Sequence, residues 1–188
     1  MVAHAESPNP PKEFLRIDAA GNPARWNPCD TLKWNLVGAG ISESVREVIV
    51  ASMDKLMAAT GLTFAYEEVG DAQSLSAPRP NTLSIGLGAK SMDTRVAGAT
   101  RLKYVRGSSS IRISSATITL NPDVFRRRVG SFSFLTPVLL HELGHSVGLA
   151  HVNDPTDIMF AKLVNRTRYQ PSDEVKLAQV GASRGCLA

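Results

Sequence analysis

The stretch His141-Glu-Leu-Gly-His-Ser-Val-Gly-Leu-Ala-His151 holds three of the chain's four histidines. Leu139, Leu140, Leu143 and Val147 recur there at helical spacing. Thr136-Pro137 has the form of a helix start, with Thr136 as N-cap and Pro137 in the first helical position. His141 and His145 are four residues apart, so both imidazoles project from one face, one turn apart. On a straight continuation His151 would lie roughly 15 Å along the axis from His141, at 1.5 Å per residue. The helix is therefore expected to stop at Gly148. Glycine accepts the left-handed backbone of a helix end at little cost, and the chain can then turn back.

Three neutral imidazoles on one zinc leave a fourth position open for water, whereas a structural zinc is closed by four protein ligands. The water's pKa falls to roughly 7 in such sites. Glu142 follows His141 directly and need not bind the metal. It is placed to take the proton of a zinc-bound water as general base and to pass it to the leaving amine. The reaction so described is hydrolysis of an internal peptide bond without a covalent intermediate. A lone His-Glu-x-x-His occurs by chance on ordinary helices; the third histidine and the glycine are what make this stretch specific.

His-Glu-x-x-His-x-x-Gly-x-x-His is the metzincin signature, and the chain resembles that family. The run His151-Val-Asn-Asp-Pro-Thr-Asp-Ile-Met159 is similar to the matrixin version. Arg25-Trp-Asn-Pro-Cys29, Thr60-Gly-Leu-Thr-Phe64 and Val180-Gly-Ala-Ser-Arg-Gly-Cys186 resemble segments of secreted, actinobacterial-type matrixin-like peptidases. The resemblance spans residues 24–187. It implies an α+β, zincin-like catalytic domain: a twisted mixed β-sheet with two packed helices, then a small C-terminal subdomain. It implies one catalytic Zn2+ on His141, His145 and His151, with Glu142 as catalytic base. Gly148 would turn the chain, and Met159 would sit in a tight turn beneath the metal. Without the resemblance, Met159 reads as core packing, and Asp154 and Asp157 as turn formers beside Pro155. The protein or peptide substrate would lie in the cleft as an extended strand along the sheet edge, supplied by 97–105 or 111–120. Residues Phe160 to Tyr169 would wall the pocket just past the scissile bond, with Arg168 and Tyr169 as candidates to enter it.

The chain has two cysteines. A Cys29–Cys186 bridge would tie both ends of the domain together, worth roughly 5 kcal/mol in the chain-entropy model, with measured gains often smaller. It would imply an oxidising, extracellular setting. The rival readings are a Cys29 thiol that binds zinc and keeps the enzyme latent, or two inert thiols. Met1 to Pro11 is short, polar and proline-rich, without the apolar segment of a complete signal peptide. Secretion is what the resemblance implies.

The 188 residues are 43% hydrophobic, enough for one sizeable core, and a single domain over 24–188 is expected after a flexible tail, 1–23. His4 falls in that tail. No apolar run reaches the roughly 18 residues of a membrane span. The net charge is +4 and the densest basic run is Arg126-Arg-Arg128, which reads as a solvated face or a feature favouring acidic partners. Nothing points to nucleic acid, and a monomer is expected. No histidines remain for a second zinc. Ca2+ through carbonyls and carboxylates is compatible with the composition, but there is no EF-hand loop.

Strands are expected over 31–37, 62–68, 82–87, 97–105 and 111–120. A helix with a capping box at Ser44-Val-Arg-Glu47 should follow the first strand, bury Val45, Val48, Ile49, Met53 and Leu56, and end at Gly61. Gly70 to Pro80 reads as a polar loop, and Pro171-Ser-Asp-Glu174 as the start of a final helix. The leading function is a zinc-dependent metalloendopeptidase, of broad or narrow specificity. The alternative is a non-catalytic zinc-binding or adhesion module on the same scaffold, against which the intact Glu142 speaks.

Overall fold

Alternating apolar and small polar residues build one five-stranded sheet in the computed structural model, which describes residues 13–38, 40–68, 75–88, 93, 96–122 and 134–187. The strands are β1 (Leu32–Val37), β2 (Phe64–Tyr66), β3 (Thr82–Leu87), β4 (Gly98–Arg106) and β5 (Ile111–Leu120). Their order is β2-β1-β3-β5-β4; all neighbours are parallel except β4, which runs antiparallel to β5. Trp34 pairs with Leu83 and Leu36 with Ile85, and Leu83 and Ile85 continue to Ala116 and Ile118 on β5. These side chains form the buried face. On β5 the apolar parity changes from Ile111 and Ile113 to Ala116, Ile118 and Leu120. The pairing accounts for this: it jumps from Lys103↔Ser115 to Tyr104↔Ile113, so Ser114 is the extra residue of a bulge. One extra residue turns every following side chain to the other face.

Helix α1 (Glu43–Thr60) lays Ile49, Met53 and Leu56 on this face. Its cap differs from expectation: Ser42, not Ser44, is the N-cap and accepts from the Val45 N–H. The expected capping glutamate, Glu47, therefore lies past the position from which it can reach back. Gly61 closes the helix at φ 67°, its N–H on the Met57 carbonyl. Helix α2 (Leu135–Ser146) starts one residue before Thr136, with Phe134 as cap and no side-chain cap bond. Thr136 and Pro137 lie inside the first turn, where a missing N–H costs nothing. Helix α3 (Pro171–Val180) opens on Pro171, and the Gln170 N–H donates to Asp173 at 2.7 Å. Between β1 and β3 the second expected strand shortens to Phe64–Tyr66, although the Glu67 N–H still reaches the Trp34 carbonyl.

Residues 13–23, read from composition as the end of a tail, are tied down by backbone pairing. Phe14 bridges Leu149, the Ala150 N–H donates to Glu13, and the Leu15 N–H donates to Gly148. Ordered packing therefore begins by Glu13 rather than at residue 24, because these backbone groups find partners just past α2. Trp26 is fully buried, and its indole N–H donates to the Ser146 carbonyl at 2.9 Å. Cys29 and Cys186 are bonded, with Cα atoms 5.5 Å apart. Neither is left as a thiol to bind metal, and such a bond suggests an oxidising environment. No described helix is long and apolar enough to cross a membrane. His4 and Arg126–Arg128 lie outside the described residues, as does the Gly70–Pro80 loop before Leu75.

Candidate active site

Helix α2 carries His141, Glu142 and His145, and the way it ends brings in His151. Val147 is the C-cap and Gly148 follows at φ 104°. The Gly148 N–H bonds the His145 carbonyl at 2.9 Å, and the Leu149 N–H bonds Gly144 at 3.1 Å. This pair of bonds is a Schellman closure, which needs a left-handed residue between them. A Cβ at Gly148 would also lie 2.8 Å from the Ala24 carbonyl oxygen. Both the turn and the packing of the N-terminal segment thus require glycine.

Beyond the turn, the Nε2 atoms of His141, His145 and His151 form a triangle with every edge 3.1 Å. Two nitrogens at tetrahedral spacing around one zinc stand about 3.3 Å apart, given Zn–N near 2.05 Å. The three residues could therefore hold one metal ion, and the donor set suits zinc. The outer nitrogens fix which atom faces it. His141 Nδ1–H donates to the Ile158 carbonyl and His145 Nδ1–H to the Leu149 carbonyl, both at 2.8 Å. A carbonyl only accepts, so these rings are protonated on Nδ1 and keep the Nε2 lone pairs free.

Burial favours the neutral form of all three rings. It lowers the His145 pKa to about 4, with the neighbouring His141 adding to the effect, and it lowers His141 and His151 as well. Folded pKa values below the unfolded 6.5 mean that the unfolded chain binds more protons as pH falls. The metal-free protein should therefore lose stability on acidification from pH 6.5 towards 4. Asp173, pushed up to about 7 by burial and then by its neighbour Asp157, and Glu142, raised by burial, oppose this, two carboxyls against three imidazoles. Melting of chelator-treated protein should show a lower Tm at pH 5 than at pH 7. A flat or rising Tm over that span would contradict it.

Glu142 is 7% exposed, and burial raises its carboxyl above the ordinary range. Opposing this, the Thr100 hydroxyl donates to Glu142 Oε2 at 2.6 Å. A Cβ at Gly98 would meet the Glu142 side chain at 2.8 Å. The start of β4 therefore cradles the glutamate, and β4 is the sheet edge that the sequence left undecided between two segments. Thr100 had no signal of its own, because its role depends on a pairing between β4 and α2.

Met159 is fully buried against Gly144, where a Cβ would collide with its sulfur. The turn bearing it is held from α3. Asp173 accepts from the Ile158 N–H at 3.0 Å, and Asp157 accepts from the Met159 N–H at 2.8 Å and pairs with Lys176. Asp154 is a turn former, accepting from the Thr156 N–H and hydroxyl. A cleft of about 930 Å³ opens over the histidines, walled by Val96 to Thr100, Val138, Ala161 and Leu163. Tyr169 is buried instead, its hydroxyl donating to the Leu140 carbonyl at 3.1 Å. Neither it nor Arg168 lines the cleft.

Residues 99–180, from β4 through the histidines and Met159 to the end of α3, match the family model for matrixins. The protein is a matrixin-like metallopeptidase. No curated protein matches the chain. The matrixin match implies zinc as the metal and a peptide as substrate. Strands β1 to β3 lie outside the matched segment, yet they complete the sheet on which α2 rests.

Proposed function

We propose that this matrixin-like metallopeptidase is a secreted endopeptidase. His141, His145 and His151 hold its zinc, and Glu142 is the general base. One observation carries the reading: three Nε2 atoms converge to 3.1 Å beside a buried carboxylate, at the floor of an open cleft. Zinc bound there supplies a Lewis acid and acidifies water. The protein's residues do the remainder. An extended peptide adds to the free edge of β4, which directs its backbone across the cleft. Glu142, with its raised pKa and its Oε2 steadied by Thr100, takes the proton of the attacking water and delivers it to the departing amine. Val138 and Leu163 offer an apolar wall for a substrate side chain. The disulfide supports an extracellular setting.

Chelation provides the direct test. Cleavage of a casein-type substrate should stop when the metal is removed and return with stoichiometric Zn2+, with internal rather than terminal cuts in the products. Undiminished turnover in fully metal-free protein would refute the metal's role, and release of single terminal residues would refute the endopeptidase reading.

A further inference from the structure

We infer that the peptidase prefers substrates with acidic residues at alternate positions on the N-terminal side of the scissile bond, selected by Arg101 and Lys103 of the edge strand. The inference rests on the endopeptidase reading and specifies its substrate class. Strand β4 begins at Gly98 beside Glu142 and runs away from the site to Arg106. Thr100 faces Glu142, so Arg101 and Lys103 project from the opposite face, where both are exposed. Their cross-strand neighbours on β5 are the neutral Thr117 and Ser115. Among the described residues, neither cation forms an ion pair, and nor does Arg106 at the strand's far end. The strand therefore shows uncompensated positive charge along the edge that a substrate would pair with.

A peptide added antiparallel approaches the site along Arg106, Lys103 and Arg101, so the residues lying there precede the bond to be cut. Directly opposed residues share a face, with Cβ atoms about 4.5–5.5 Å apart. Side chains at every second substrate position thus meet Arg101 and Lys103, and Asp or Glu there completes an ion pair. The competing explanation is that cations on an edge strand only keep sheets of separate molecules from joining.

The test is cleavage of a peptide library by the full chain, followed by kinetics on matched pairs. An acidic peptide and its Asn/Gln counterpart should differ about three- to ten-fold in kcat/KM, chiefly through KM, as expected for one or two exposed ion pairs. The advantage should shrink between about 0.05 and 0.5 M salt, as the screening length shortens. Arg101→Glu/Lys103→Glu should reverse it in favour of Lys-containing peptides. Both residues are surface-exposed, and melting curves check that the variant is folded; Arg101→Ser/Lys103→Ser, which should abolish the bias, serves if it is not. Equal rates on the matched pair, or a bias that survives both variants, would overturn the inference. A wild type that cleaves no peptide at all would refute the endopeptidase reading itself, whereas turnover without acid bias sinks only the preference.

Discussion

Replacing Glu142 with alanine should leave zinc bound and reduce kcat by roughly 10²–10⁴-fold or more, the range assigned to a lost general base. The metal should stay because its three nitrogens are oriented by groups other than Glu142. His141 is held by the Ile158 carbonyl, His145 by Leu149, and His151 is delivered by the Gly148 turn. The rate should fall because Glu142 is the carboxylate that Thr100 and the start of β4 hold in place next to His141. The informative pair of measurements is zinc content and single-turnover cleavage. Full zinc with unchanged cleavage would remove Glu142 from the chemistry. A wild type that binds zinc yet cleaves nothing across many substrates would favour the non-catalytic binding module. Glu142→Gln sharpens the comparison, since it keeps the shape and the contact with Thr100 while losing the base.

Lys176→Met should cost about 3–5 kcal/mol of stability, the usual effect of removing one partner from a buried ion pair. Lys176 is 7% exposed and Asp157 1%, so water does little to screen them. Burial pushes the Asp157 carboxyl up, but the hydrogen bonds from Asp173, Lys176 and the Met159 N–H outweigh it and hold it below the ordinary range. Without Lys176 a charged Asp157 would be stranded under the Met159 turn. For a chain of this length the loss corresponds to a Tm lower by about 6–20 °C, measurable in the metal-free protein. The double variant Asp157→Asn/Lys176→Met should recover much of it, because neither charge is then left alone. A single variant melting within about 2 °C of wild type would show that the pair carries little stability.

The parts legible in the sequence were those encoded over short distances. The spacing of His141, Glu142, His145, Gly148 and His151 specifies a helix, a stop and a return, and the structure has that shape. The Gly61 helix stop was likewise readable from one glycine after an apolar stripe. What resisted reading depends on partners far along the chain. Thr100 meets Glu142 only because β4 packs on α2, and the bulge at Ser114 exists only in the β4–β5 pairing. Residues 13–23 looked like tail because their order comes from backbone bonds to residues near 149, which composition does not register. Asp157 and Asp154 were indistinguishable as turn residues until Lys176 was found against one of them.

The Cys29–Cys186 bond encloses 157 residues of sequence separation, and the whole of the catalytic apparatus lies inside that covalent ring. An enzyme that digests polypeptides is also bait for other copies of itself. A single nick in any surface loop within the ring opens it without releasing a fragment, so the halves stay tethered and can remain assembled. Such nicked molecules would run at full mass on a gel until a reductant separates the pieces.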